Sequence, residues 1–181
     1  DVIASDMLSK FESEMSSLPY IKAMLRANRI LANRSGMKGM IGGEVIDVEF
    51  TGKTVEKKVL KAIYELKTSA LIEASMLIGA VLGMAGNGEL AIVEEAAKSV
   101  GMAFQIRDDI LDSTSSTRVL GKTVGSDEKN NKTNYVSLYG LEKAKKECYR
   151  LSKEAKDLLL SLDRDTTTLR KIIEGLIDRE S

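Results

Sequence analysis

Phe104-Gln105-Ile106-Arg107-Asp108-Asp109-Ile110-Leu111-Asp112 is the stretch around which the chain is organised. Gly101, Met102, Phe104, Ile106, Ile110 and Leu111 are small or apolar, so this segment reads as the inside of a helix that also carries three carboxylates and an amide. At 3.6 residues per turn, Gln105, Asp108 and Asp112 share one stripe. Asp109 lies about 100° round from Asp108. Carboxylates held this close repel one another, and buried unpaired charge is costly. A cation is therefore expected among them. Oxygen ligands in a chain without histidine point to Mg²⁺, which takes one or two protein carboxylates and completes its shell with water and phosphates. The plainer alternative is a solvated acidic face. The apolar neighbours and the residues downstream weigh against it.

The 181 residues suit one all-α domain, 1–181, with a sizeable core. Lys+Arg and Asp+Glu number 27 each, so there is no basic field of the kind that attracts nucleic acid. One cysteine, Cys148, excludes an intrachain disulfide and a cysteine-rich zinc site. The absence of histidine removes the usual base near neutral pH and the histidine triads. Chemistry must then run on carboxylates, lysines, hydroxyls or metal. The longest uncharged run, Ala74 to Gly88, is shorter than the about 20 residues of a membrane helix, so no stable membrane insertion is expected. The first residues lack a basic leader, and the default location is cytoplasmic. A start at Asp1 rather than Met suggests a piece of something longer.

Outward from the acidic segment, a single proline and the lack of alternating strand patterns predict helices throughout. Ile3, Met7, Leu8, Phe11 and Met15 have helical spacing over 1–16. Pro19 suits the first turn of a helix running to about Asn33. Gly36, Gly39, Gly42 and Gly43 permit a kink or a close helix approach, and are too irregular for a phosphate loop. Thr54 is a plausible N-cap for a long helix to about Met84, on which Gly79 and Gly83 would admit a close neighbour. Asn87-Gly88 ends that hairpin, and the acidic helix follows over about 90–113. Residues 114–134 read as a long polar loop, a length that usually signals function or disorder. Helices over about 140–161 and 166–179 complete the chain.

Gly121-Lys122-Thr123-Val124-Gly125-Ser126-Asp127 and Lys132-Thr133-Asn134-Tyr135 place lysines beside glycines, and such point charges suit phosphate oxygens. Lys67-Thr68 interrupts an otherwise apolar stretch of Ile63, Leu66, Ala70 and Leu71. Alone, Lys67 would be an ordinary core-edge lysine. Taken in order with Gly39-Met40-Ile41-Gly42-Gly43-Glu44-Val45-Ile46-Asp47, these motifs resemble the trans (head-to-tail) polyprenyl synthases, the farnesyl and geranylgeranyl diphosphate synthase family. The look is that of the bacterial farnesyl diphosphate synthase (geranyltranstransferase) type, and the likeness covers roughly residues 36–181.

The resemblance implies an antiparallel helical bundle and a Mg²⁺-dependent condensation of isopentenyl diphosphate with an allylic diphosphate, dimethylallyl or geranyl. Asp108 would be the main metal ligand, supported by Asp109 and Asp112 through water or lysine partners. Lys67, Lys122 and Lys132 would bind the diphosphate. Thr68 and Gln105 would aim oxygens at the allylic carbon that becomes cationic. The departing pyrophosphate would take the proton, and a homodimer built on long helices is implied.

Three departures qualify the likeness. The family's other aspartate-rich motif and its upstream isopentenyl-diphosphate-binding residues are not in this chain. It therefore reads as the C-terminal part of such an enzyme, lacking about the first 40% and expected to be inactive alone. Glu44 replaces a usual Gln, Asn131 a usual Gly and Val136 a common Pro. The residues that set product length lie mostly beside the absent motif. Two other readings stand: a non-catalytic partner subunit of a heteromeric prenyl synthase, against which the intact Asp108-Asp109-x-x-Asp112 argues, and a helical interaction module.

Overall fold

The computed structural model describes residues 18–114 and 133–177, and every regular element in them is helical. In chain order these are α1 (Leu18–Ser35), α2 (Met40–Glu49), α3 (Lys57–Ile63), a π-helical segment (Tyr64–Ser69) leading straight into α4 (Ala70–Leu82), α5 (Asn87–Thr114), α6 (Tyr135–Tyr139), α7 (Leu141–Leu160) and α8 (Thr167–Ile177). The helix expected over 1–16 and most of the expected long loop lie outside the described residues.

The core forms where the apolar stripe of α5 meets that of α7. Ala96, Val100, Ala103, Ile106 and Ile110 recur every three or four residues on α5, and Ala144, Cys148, Leu151, Ala155 and Leu159 do the same on α7. Alanines on both stripes let the two helices approach closely, and Ile173 and Ile177 of α8 close one side. Burial of Ile106, Leu159 and Ile173 stabilises by roughly 1.5–3 kcal/mol each. Cys148 is a small buried hydrophobe here, its thiol directed to the carbonyl of Ala103.

A second cluster joins Ala23 and Ala27 of α1 to Leu77, Val81, Leu90 and Val93 of α4 and α5. Arg34, in the last turn of α1, fastens the same three helices by pairing with Glu73 and Glu94, both at 2.7 Å. Burial pushes the Glu73 carboxyl above the ordinary range, and the Arg34 guanidinium pulls against that shift.

Two expectations give way to tertiary contacts. Helix α3 begins at Lys57 after Glu56, not after Thr54, because the backbone N–H of buried Val55 is held by the Thr133 hydroxyl at 3.2 Å. Gly79 admits no close neighbour among the described residues; it opens instead onto an apolar cavity of about 500 Å³ bounded by Met76, Val100, Leu159 and Ile173. Met84, with φ of 56°, turns the chain out of α4. No helix among the described residues is long and apolar enough to cross a membrane.

Candidate active site

Lys67 and Thr68 lie inside the π-helical segment, which splits what the sequence presents as one long helix. A π turn makes i→i+5 hydrogen bonds and so inserts an extra residue into the helix, shifting the side chains that follow. Two glycines make room for it. A Cβ on Gly43 of α2 would overlap the backbone N of Lys67 and lie 2.7 Å from the Leu66 carbonyl carbon. A Cβ on Gly101 of α5 would collide with the Ser69 side chain and lie 2.7 Å from the Ser69 Cα. The segment is gripped from both sides at backbone distance. The glycine cluster expected to permit close approach does so at Gly43.

This placement joins two of the residues that the motifs single out. Thr68 Oγ1 donates to Gln105 Oε1 at 2.8 Å, and Gln105 Nε2 reaches Asp109 Oδ1 at 3.4 Å. Asp108 and Asp112, four residues apart, share the Gln105 face of α5 and are half-buried. Among the described residues no three acidic side chains close into a metal cage.

Asp109 differs from its neighbours. Expected beside Asp108 as a supporting metal ligand, it is 4% exposed. Its Oδ2 accepts from the Tyr64 hydroxyl and, at 2.7 Å, from the backbone N–H of Tyr135. That N–H also approaches the Tyr64 oxygen at 3.0 Å. The carboxylate therefore links the π segment, α5 and the start of α6. Asn134 secures the same junction with a capping box, its side chain accepting from the Ser137 N–H at 2.8 Å while Ser137 Oγ accepts from the Asn134 N–H at 3.0 Å.

Lys67 is held by two carboxylates of α2, Asp47 Oδ2 and Glu44 Oε2, each 2.6 Å from Nζ. Burial acts to lower the pKa of Lys67, but the hydrogen bonds it donates to Asp47 and Glu44 outweigh that and hold the ammonium above the ordinary lysine range. Lys122 and Lys132 lie outside the described residues. Asp47 and Tyr135 end two of the motifs, but neither they nor Tyr64 has a role that the motifs alone assign. The available signal was the stripe Met102, Ile106, Asp109, which puts that carboxylate among apolar neighbours where it needs partners.

A family model for polyprenyl synthetases matches residues 2–174. The farnesyl diphosphate synthase of Escherichia coli K12 is 35% identical over 187 aligned positions, covering 98% of this chain and 62% of that protein. The farnesyl diphosphate synthase of Bacillus subtilis 168 is 36% identical, covering 91% of this chain and 56% of its own length. A geranyltransferase from Helicobacter pylori, solved with magnesium and isoprenyl diphosphate, superposes with a TM-score of 0.72 at 29% identity, over 87% of this chain and 52% of that one. The geranylgeranyl pyrophosphate synthetase of Pyrococcus horikoshii shares the fold with a TM-score of 0.75 at 24% identity. The chain thus spans less than two thirds of the length of these relatives. Matched by the family model over nearly its whole length and carrying the family's helical bundle, the chain belongs to the polyprenyl synthetase family.

Proposed function

We propose that this chain carries the allylic-diphosphate side of a Mg²⁺-dependent prenyltransferase site. The reaction joins isopentenyl diphosphate to dimethylallyl or geranyl diphosphate and releases pyrophosphate. The observation that carries this reading is the Thr68–Gln105 hydrogen bond, which brings the Lys67-Thr68 pair of the π segment to the acidic face of α5. Two half-buried carboxylates on one helical face, Asp108 and Asp112, fit Mg²⁺, whose remaining positions go to phosphate oxygens and water. When bound, the ion offsets the negative charge that builds on the departing diphosphate. Asp109 supports this face from behind through Tyr64 and Tyr135.

Lys67 is assigned to the diphosphate oxygens, and Lys122 and Lys132 to the same group on their motifs alone. Thr68 gives its proton to Gln105, which leaves oxygen lone pairs on both side chains for the cationic allylic carbon. A chain without histidine needs another proton acceptor, and pyrophosphate supplies one. We also expect a homodimer in the cytoplasm. The exposed apolar side chains of α1 and α2 and their turn, Leu25, Met37, Val45 and Val48 among them, offer surface for such a contact.

Because this chain spans 62% of the E. coli relative, turnover is expected from the full product of its gene and not from these residues alone. The test pairs a thermal melt with a product assay. Magnesium pyrophosphate at about 100 times its dissociation constant should raise the melting temperature of the full product by roughly 5–10 °C. Isopentenyl and allylic diphosphates should yield a longer prenyl diphosphate. Absence of both the shift and the product would overturn the reading. A shift without product would favour the partner-subunit alternative.

A further inference from the structure

The two carboxylates that hold Lys67 are not equivalent. Asp47 and Glu44 lie three residues apart on α2, so both reach the same side of the π segment. The Asp47 side chain is 8% exposed, whereas that of Glu44 is 47% exposed. Asp47 is enclosed by the contact that Gly43 permits between α2 and the π segment, so it can hold the lysine stem in place. Glu44 takes another share of the ammonium from the solvent side. An ammonium has three N–H donors, and two of the three groups it can serve are already carboxylates of this protein. The trio of Lys67, Asp47 and Glu44 sums to one negative charge, which is unfavourable to an approaching anion at contact distance.

From this geometry we infer that Glu44 competes with the diphosphate for Lys67, while Asp47 positions the lysine for it. The inference rests on the assignment of Lys67 to the diphosphate. Binding then requires Glu44 to swing off Nζ into solvent, which its exposure allows. Asp47 stays where it is. Glu44 thereby sets the affinity of the site without touching the reacting atoms, and the two acids have opposite effects on binding.

Titration calorimetry with inorganic pyrophosphate at saturating Mg²⁺, on the full product of the gene, tests this. Glu44→Gln keeps the side-chain shape and removes the charge, and should tighten pyrophosphate binding by about 3–10-fold. Glu44→Ala should change it in the same direction. Asp47→Asn should weaken binding by a similar factor, because Lys67 loses its anchor. The gain in Glu44→Gln should also shrink as salt is raised from low ionic strength, as expected for a charge effect and not for altered packing. If Lys67→Ala leaves pyrophosphate affinity unchanged, the assignment of Lys67 fails and this inference fails with it. If Lys67→Ala weakens binding but both Glu44 variants bind no better than the parent, only the competition by Glu44 is overturned.

Discussion

The backbone N–H of Tyr135 donates to the buried carboxylate of Asp109 at 2.7 Å, across 26 positions of sequence. With the Tyr64 hydroxyl on the same oxygen, this contact fastens the start of α6 to the acidic helix and to the π segment. Of the three carboxylates of this motif, Asp109 is the buried one and makes these contacts. Its neighbours Asp108 and Asp112 are half-buried.

Asp109→Ala leaves the buried Tyr64 hydroxyl without its acceptor and takes one of two acceptors from the Tyr135 N–H, so a loss of about 1–3 kcal/mol is expected. Tyr64→Phe removes one hydrogen bond to a charged acceptor and should cost about 1.5–3 kcal/mol. Asp108→Ala, on the half-buried face, should cost less than Asp109→Ala while weakening Mg²⁺-dependent pyrophosphate binding more than Tyr64→Phe does. Urea unfolding combined with calorimetry separates these effects. Equal destabilisation by Asp108→Ala and Asp109→Ala would contradict the division of labour.

The helices that pack the core were readable from the chain because their buried residues recur at helical spacing. Ala96, Val100, Ala103, Ile106 and Ile110 locate α5, which runs 87–114 against an expected 90–113. The π segment left no such mark. Tyr64-Glu65-Leu66-Lys67-Thr68-Ser69 reads as continuous helix, and the cause of the insertion lies in Gly43 and Gly101, far away in sequence. The motif residues Thr68 and Gln105 could be named from the chain. That they bond to each other could not, because it depends on how the π turn rotates Thr68. The inward direction of Asp109 was hidden for a related reason: periodicity gives the angle between two side chains, not which side the neighbouring helices occupy.

The same two glycines make a direct prediction. Gly43→Ala puts a methyl group into the backbone of Leu66 and Lys67, and Gly101→Ala puts one against the Cα of Ser69. Overpacking of this kind costs about 1–3 kcal/mol. Both variants should also weaken pyrophosphate binding, because each displaces the segment that carries Lys67. Ser69→Ala should be neutral or mildly stabilising, since the Ser69 hydroxyl is buried without a hydrogen-bond partner among the described residues. A Gly43→Ala variant with unaltered unfolding free energy would show that the contact is looser than described.

Thr68→Val is nearly isosteric and deletes both the proton that orients Gln105 and the oxygen assigned to the allylic cation. In the full product of the gene it should lower kcat by about 10²-fold, the usual scale for losing one oriented polar group at a developing charge. KM for the allylic diphosphate should change little, because the diphosphate grip is assigned to Lys67 under the proposed function. Thr68→Ser keeps the hydroxyl and should retain most of the activity. If Thr68→Val instead raises KM with kcat intact, the pair binds substrate and does not serve the cation.

Far from the site, Arg164 joins the turn between α7 and α8 to the turn between α4 and α5. It donates to Glu89 Oε2 at 3.0 Å and to the Gly83 carbonyl at 3.1 Å. The Arg164 hydrogen bond, with a further one from the Gly86 N–H, lowers the Glu89 carboxyl from its ordinary value to about 2. A carboxyl whose pKa is lower folded than unfolded contributes stability in full above the unfolded value of 4.5, and that contribution fades as pH falls toward 2. Glu89→Gln should therefore melt below the parent at pH 7, and the gap should narrow from about pH 5 downward and close near pH 2. Thermal melts of both proteins across that range check the sign. A gap that stayed constant from pH 7 to pH 2 would mean that the contribution of Glu89 comes from packing, not from the charge that Arg164 binds.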